Sequence, residues 1–286
     1  MAARRHGAVD RVIRSRLREA VSFPDLTEHR TLRLASIQHY TARAHFAPWH
    51  RVLGRPDFAG LTGLFSPLVY VELEVLEVPL GFATKVAVFG ETHLARTLDA
   101  GGATRQLVRE GQHRLETLDG QLVARARLVN VFTRYDPDPA RRRVTAFPPE
   151  MGLGVPSRIT SFPTIDTLLP DGRPADFTEP DAHVWHFGQT DPNRHVNGVE
   201  YLRVMEMHLA DALYRRGQDL RRLYAARARM VYRKPCFRGE GYRRAAWFAG
   251  EAPLAVVGAF AKADDEPGAR PATVIEVTYR QHAEEG

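Results

Sequence analysis

One segment of the chain is more informative than any other: Gln189-Thr190-Asp191-Pro192-Asn193-Arg194-His195-Val196-Asn197-Gly198-Val199-Glu200-Tyr201-Leu202. Asn197 is a residue type that caps helices, and Glu200 stands three residues later, as in a capping box. Apolar residues then recur at helical spacing, at Val199, Leu202, Met205, Leu209 and Leu213. The segment therefore predicts a polar loop that leads into a long amphipathic helix.

Polar side chains alternate along this loop, at Asp191, Asn193, His195 and Asn197. If the loop is extended, all four side chains project to one side. A carboxylate at Asp191 can serve there as general base for water, or as a nucleophile. His195 or Asn193 can orient that water or polarise a carbonyl group. The catalytic candidates are therefore Asp191, Asn193 and His195.

The start of the helix adds a second candidate element. Backbone N–H groups at a helix N-terminus, together with the positive end of the helix dipole, stabilise an oxyanion. We expect Asn197, Gly198 and Val199 to form this part of the site, and Gly198 lets a substrate approach the backbone closely. Structural interpretations stay open beside this one, because Asp191-Pro192 is a common turn start and Asn197 can act purely as a helix cap.

The segment from Thr190 to Leu202 resembles the signature of hotdog-fold thioesterases. Those proteins carry an Asp, a short loop with His-Val-Asn, and a Tyr-containing helix that often ends in an acidic residue, here Glu206. The match is closest to the acyl-ACP and 4-hydroxybenzoyl-CoA thioesterase types. The run Val231–Glu240 is similar to the strand after the central helix of these proteins, so the resemblance covers about residues 183–245.

The sequence departs from this family in one place. Plant-type acyl-ACP thioesterases have an acidic residue beside a Cys at about the position of Cys236, and this chain has Pro235 there. Glu240 is the nearest substitute. Further site candidates are Glu206, Cys236, Glu240 and, from the first half of the chain, Tyr40. Cys236 also has a simpler interpretation as a small buried hydrophobic residue.

Both halves of the chain show a helix followed by several strands. In the second half we predict strands at 226–232, 241–249, 254–263 and 272–280. In the first half, a helix near Ser36 precedes predicted strands at 69–78, 82–89, 103–117 and 121–135, and Asp119-Gly120 indicates a hairpin. A helix followed by an antiparallel meander, repeated once, predicts an α+β double hotdog, with each sheet wrapped around a central helix.

This arrangement divides the chain into four parts. Residues 1–30 form a basic N-terminal tail whose apolar spacing suits an amphipathic helix, with a flexible or peripherally packed tail as the alternative. Residues 31–140 form the first hotdog, 141–181 a Pro-rich linker, and 182–286 the second hotdog with the site motif. Ahead of the first helix, Leu34–His39 contains no carboxylate, so we expect one site per chain, with His39, Tyr40 and His45 as exceptions to test.

Composition limits the partners and the cellular setting. The 286 residues carry a formal charge of +6, which favours acidic partners such as an acyl carrier protein or the phosphates of coenzyme A. Nucleic acid is not expected, since no zinc-finger spacing, P-loop or RNA-binding motif occurs. The sequence has no apolar run long enough to span a membrane. The single cysteine fits a reducing, cytoplasmic setting.

The expected function is the hydrolysis of an acyl thioester, bound to a carrier protein or to coenzyme A, in fatty-acid or polyketide metabolism. No cofactor is expected beyond the phosphopantetheine or coenzyme A of the substrate. Two alternatives stay open: another reaction on the same thioester, such as acyl transfer, decarboxylation, dehydration or cyclisation, and a non-catalytic acyl-binding module. The oligomeric state is a monomer or a homodimer.

Overall fold

The computed structural model describes residues 9–46, 63–192, 194–251, 254–266 and 268–282. Asn193, one of the predicted site residues, lies outside the described residues. The chain forms two compact units. The first unit comprises residues 1–21, 40–71 and 83–162, and the second comprises residues 22–39, 72–82 and 163–286. No helix in the described ranges is both long and apolar enough to cross a membrane.

The first unit is an antiparallel sheet with one helix, α1 (Leu34–Phe46), whose last seven residues belong to it. Its strands are β1 (Ile13–Ala20), β2 (Leu64–Phe65), β3 (Leu68–Val75), β4 (Lys85–Leu98), β5 (Thr104–Thr117), β6 (Leu122–Val131) and β7 (Thr133–Arg134). Of β3, residues 68–71 belong to this unit. The strand order is β1-β4-β5-β6-β3, and β2 pairs with β7. The predicted hairpin at Asp119-Gly120 is confirmed, with Gly120 at a φ of 93° between β5 and β6.

The prediction of an N-terminal helix or flexible tail is wrong for residues 13–20. These residues form β1, which pairs along its whole length with β4. The side chains alternate, with Ile13, Ser15 and Leu17 at least partly buried and the intervening arginines exposed. This alternation has a period of two residues, which is a strand period rather than a helical one.

The second unit contains α2 (Ile165–Leu168), β8 (Phe177–Thr178), β9 (His183–Val184), α3 (Gly198–Arg215), β10 (Leu223–Tyr232), β11 (Gly241–Glu251), β12 (Leu254–Lys262) and β13 (Thr273–Gln281). The predicted helix and all four predicted strands are present. The strand order is β10-β13-β12-β11-β8, with β9 also on β11. Helix α3 packs closely on β12, because a Cβ at Gly258 would overlap the side chain of Met205.

The Pro-rich segment 141–181 is not a free linker, and the units do not divide at its ends. Residues up to 162 cluster with the first unit and residues from 163 with the second. Arg96 exchanges backbone hydrogen bonds with Arg158 and Thr160 at 2.9 and 3.0 Å. Asp176 N–H donates to Ala246 O at 2.9 Å. Backbone pairing with strand residues therefore fastens this segment, although its prolines exclude long elements of its own.

Candidate active site

The loop before α3 is a tight turn rather than an extended segment. Asp191 N–H donates to His195 O at 2.8 Å, and Arg194 N–H donates to Asp191 O at 2.9 Å. Arg194 has a φ of 65°, in the left-handed region. The prediction that alternate side chains project to one side is therefore wrong, since the chain reverses between Asp191 and His195.

Asp191 stabilises this turn with its own side chain. Its Oδ1 accepts the backbone N–H of His195 at 3.2 Å. The carboxylate is partly exposed. Asp191 therefore closes a turn, and its partial exposure leaves the carboxylate reachable by water.

The segment after the turn is fastened to the region of Cys236. Val196 N–H donates to Cys236 O at 2.8 Å, and His195 forms a β-bridge with Phe237. The imidazole of His195 meets the Phe237 ring edge to face, with 4.9 Å between the ring centroids. These contacts fix the position of His195 beside the start of α3.

Asn197 is the N-cap of α3, as predicted. Its Oδ1 accepts the N–H of Val199 at 3.0 Å, so this N–H is not available to an oxyanion, and Val199 is dropped from the predicted oxyanion site. The predicted capping box does not form, because the Glu200 carboxylate pairs with Arg203 at 2.8 Å instead. The N–H of Gly198 has no acceptor among the described residues. Gly198 is therefore the candidate oxyanion donor at this helix end.

The side chains of Tyr232 and Gln38 lie close to Gly198. Tyr232 Oη donates to Gly198 O at 3.1 Å, and Gln38 Nε2 donates to Tyr232 Oη at 3.0 Å. A Cβ at position 198 would lie 2.9 Å from Gln38 Nε2 and from Tyr232 Oη. A Cβ at this position would therefore require these side chains or the first turn of α3 to move. Gln38 was not among the predicted site residues, and a single Gln in a helix gives no sequence signal of such a contact.

Cys236 has the environment of a buried structural residue. It is 1% exposed, and burial raises the pKa of its thiol. Its backbone N–H donates to Tyr201 Oη at 2.9 Å, so the tyrosine of the motif connects α3 to the loop between β10 and β11. A buried thiol with a raised pKa is a poor nucleophile near neutral pH. The structure thus favours the simpler interpretation of Cys236.

Glu240 and Tyr40 are both engaged in local contacts. Glu240 binds Lys262 Nζ with both carboxylate oxygens, at 3.0 and 2.8 Å, and accepts the N–H of Phe237 at 2.9 Å. It thereby stabilises the turn that carries Phe237, the partner of His195. Tyr40 belongs to the first unit, where its hydroxyl donates to Ala20 O at 3.4 Å. Neither contact gives these residues a chemical role.

Glu206 differs from the other candidates in its ionisation. Burial raises the pKa of its carboxyl to about 7, although Arg33 and Arg203 oppose the shift. It lies two turns of α3 beyond Gly198, which corresponds to roughly 12 Å along the helix axis. No hydrogen bond or ion pair to Glu206 occurs among the described residues. It is a titratable group of the helix rather than part of the turn.

A buried ionic network that the sequence did not reveal positions α3. Arg244 binds both carboxylate oxygens of Glu179, at 2.6 and 2.7 Å, and donates to Val204 O in the helix at 3.2 Å. His208 Nδ1 lies 3.2 Å from Glu179. The network fastens the segment before β9 to α3 and β11. It supports the site without contacting the turn.

A helix packed on an antiparallel sheet in each of two units defines a double hotdog protein, and comparisons with solved structures confirm this fold. A proposed oleoyl thioesterase from Lactobacillus plantarum has 17% sequence identity and a TM-score of 0.70, over 97% of this chain and 99% of that one. The 12:0-ACP thioesterase from Umbellularia californica has 15% identity and a TM-score of 0.68, over 94% of each chain. A MaoC-like dehydratase from Phytophthora capsici has 17% identity and a TM-score of 0.53, over 97% and 99%.

Similarity at the level of sequence is much weaker. No family model matches the chain, and no curated protein matches it. These three solved structures are below 20% identical to it, so they establish the fold and leave the reaction to be argued from the site.

Proposed function

We propose that the protein hydrolyses acyl thioesters at the turn before α3. One observation supports this proposal most strongly. The short segment from His195 to Asn197 joins the Asp191 carboxylate to the N–H of Gly198, which has no acceptor in the described part of the chain. We infer that this segment carries both a base for water and a donor for an oxyanion.

In the proposed reaction Asp191 acts as general base. It takes a proton from a water molecule while the water oxygen attacks the thioester carbonyl carbon. The Gly198 N–H donates to the oxyanion of the tetrahedral intermediate, which the positive end of α3 also stabilises. The C–S bond then breaks, and the leaving thiolate receives the proton from Asp191. The products are a free acid and a thiol, so the steps require no cofactor.

We propose auxiliary roles for two further residues of the motif. His195 is held against Phe237 beside the turn and would orient the water or the carbonyl group. Asn193, the remaining polar residue of the motif, would assist in the same step.

The substrate is an acyl group on a carrier-protein phosphopantetheine arm or on coenzyme A. The resemblance of the motif supports this class, and one protein with the same fold is a 12:0-ACP thioesterase. The net positive charge of the chain suits acidic carriers of either kind. We place the reaction in fatty-acid or polyketide metabolism.

A second candidate is another reaction on the same thioester, such as dehydration. Pro235 in place of the acidic residue favours it, as does the shared fold with a MaoC-like dehydratase. In a dehydration the acyl group would lose water while the thioester bond stayed intact. A third candidate, an acyl-binding module without turnover, would leave the thioester unchanged.

Intact mass spectrometry of acyl thioesters separates these candidates. Acyl carrier protein and coenzyme A thioesters would be incubated with the wild type and with Asp191→Asn. An asparagine oxygen can still accept the His195 N–H, so the turn is retained while the base is lost. Asp171→Asn, at an exposed position, is the matched control. Free acid from the wild type and the control supports hydrolysis. A thioester lighter by one water, or an unchanged thioester, contradicts it.

A further inference from the structure

The first unit contains a buried chain of polar side chains that the proposed function does not use. It consists of His45 on α1, His113 on β5 and Asn130 on β6, each at most 4% exposed. His45 Nε2 lies 2.8 Å from Asn130 Oδ1, and His113 Nε2 lies 3.3 Å from His45 Nδ1. The two imidazoles and the amide thus form one continuous hydrogen-bonded chain.

The hydrogen bonds of Asn130 determine which ring nitrogen of each histidine carries a proton. Asn130 Nδ2 donates to Ser66 O at 2.8 Å, so Asn130 Oδ1 faces His45 and accepts. His45 Nε2 therefore carries the proton, and His45 Nδ1 accepts from His113 Nε2. Burial lowers the pKa of both imidazoles, to about 4 for His113, so each ring is neutral near pH 7. His113 Nδ1 is consequently an unprotonated acceptor.

This acceptor lies beside the hydroxyl group of Ser15. His113 Nδ1 and Ser15 Oγ are buried and have no hydrogen-bond partner in the described ranges. A Cβ at Gly90 would lie 2.6 Å from the nitrogen and 2.5 Å from the oxygen, so the two atoms are at most about 5.1 Å apart. Thr92 Oγ1, two residues further along the same face of β4, is also buried and has no partner there.

Glycines make the room that this arrangement needs. The register places Ser15, Gly90 and His113 side by side on β1, β4 and β5. A Cβ at Gly111 would overlap the imidazole of His45. Glycine within a strand weakens it and commonly marks a close approach. Two such glycines, both at the imidazoles, indicate that the strands are adapted to these side chains.

This series of hydrogen bonds ends at His113 Nδ1, an acceptor that has no partner among the described residues. An unsatisfied buried polar atom costs roughly 1–3 kcal/mol. Among the described residues His113 Nδ1, Ser15 Oγ and Thr92 Oγ1 are atoms of this kind, and the strand register places them on the same face of the sheet. A ligand that satisfies them would offset that cost.

We propose that this face is a binding site for a hydroxyl group, which donates to His113 Nδ1 and exchanges hydrogen bonds with Ser15 and Thr92. A carbonyl or carboxylate oxygen does not fit, because it cannot donate to an unprotonated nitrogen. The hydroxyl group belongs either to a buried water molecule or to a hydroxylated acyl chain. The site stands on the first unit alone and does not depend on the proposed hydrolysis.

The test is ¹⁵N NMR of the full-length protein labelled at histidine, which reports the protonation and hydrogen bonding of each ring nitrogen. We expect His45 and His113 both to carry their proton on Nε2 at pH 7. We also expect the His113 Nδ1 resonance to show a hydrogen bond once the site is filled. A protonated Nδ1 on His113, or a charged ring, would overturn the proposal.

Two probes distinguish the sources of the hydroxyl group: 12-hydroxydodecanoic acid and dodecanoic acid. A shift of the His113 Nδ1 resonance with the hydroxylated acid alone identifies a hydroxylated chain, and Ser15→Ala should weaken that binding about fivefold to tenfold. A hydrogen-bonded Nδ1 in the free protein, altered by Ser15→Ala but not by the control Ser161→Ala, identifies water. An Nδ1 without a hydrogen bond in every sample contradicts both.

Discussion

Asp191 and His195 close one turn through two hydrogen bonds, one from each backbone N–H. His195 O accepts the N–H of Asp191 at 2.8 Å, and Asp191 Oδ1 accepts the N–H of His195 at 3.2 Å. The proposed base is therefore held in position by the residue proposed to orient its water. Asp191→Asn removes the carboxylate charge but keeps an oxygen that can accept the His195 N–H. This substitution therefore tests the proposed base while the turn is retained.

Substituting Gly198 should disturb the oxyanion donor. In Gly198→Ala the new Cβ would lie 2.9 Å from Gln38 Nε2 and Tyr232 Oη, so these side chains or the first turn of α3 must shift. We expect kcat to fall by about 10²-fold or more, as for loss of one oxyanion donor. Gly188→Ala is the control, because its Cβ would meet nothing within 4 Å. Equal rates for both variants in a steady-state assay would argue against this donor.

Cys236 should be dispensable for catalysis. Its thiol is buried and has a raised pKa, so it does not supply the nucleophile. We expect Cys236→Ser to retain kcat within about threefold, the change expected for a small repacking without loss of a catalytic group. We also expect the native thiol to resist alkylation by iodoacetamide until the protein is unfolded. Rapid alkylation that abolishes turnover would restore Cys236 as a catalytic candidate.

Glu206 should make the protein less stable as pH rises. The folded-state pKa, about 7, lies above the ordinary value of 4.5, so folding favours the protonated form. The destabilisation is absent below about pH 4.5, grows as pH rises and is complete above about pH 7. Glu206→Gln should therefore be more stable than the wild type at pH 8, by on the order of 1 kcal/mol for a half-buried group, and similar at pH 5.

Urea unfolding at the two pH values measures this difference. Glu266→Gln, which changes an exposed carboxylate, is the control. A pH-independent difference between Glu206→Gln and the wild type would contradict the assigned ionisation. The same variant should keep its hydrolytic activity, because Asp191 is the proposed base.

Glu179 should stabilise the fold through Arg244. Burial alone would raise the pKa of the Glu179 carboxyl, but the hydrogen bonds and charge of Arg244 hold it below its ordinary value. Glu179→Gln should lower the free energy of unfolding at pH 7 by about 2–4 kcal/mol, since it leaves a buried arginine unpaired. This stabilisation is present above about pH 4.5 and is lost as pH falls through the lower folded-state pKa. Thermal unfolding at pH 7 and pH 4 measures both effects, and an equal loss at the two values would count against the ion pair.

Regular periodicity made most of the second unit predictable from sequence. The stripe from Val199 to Leu213 gave α3, and the cap at Asn197 gave its start to within one residue. The turn at Asp191 was harder, because alternating polar residues are compatible with a strand as well as a turn. The deciding feature is a side-chain to backbone bond between Asp191 and His195, which no periodicity reports.

In the first unit, strand β1 was predictable from the sequence, and the contacts of His113 were not. Ile13, Ser15 and Leu17 alternate with arginines. This two-residue period predicts strand β1, whereas the basic charge of the segment favours a tail. His113 occupies an inward position of β5 between Gly111 and Leu115, which is unusual for an imidazole. Its partners His45 and Asn130 are distant in sequence, so their convergence depended on the sheet register.

The most direct test of the central claim is a single-turnover reaction in H₂¹⁸O with enzyme in excess over an acyl thioester. If Asp191 is a general base for water, the acid released in the first turnover carries one ¹⁸O atom and the enzyme carries none. Asp191→Asn should release this acid at least about 10²-fold more slowly, as expected for loss of a general base. Acid without ¹⁸O, with the label found in the Asp191 carboxylate, or no acid at all from the wild type, would contradict the account.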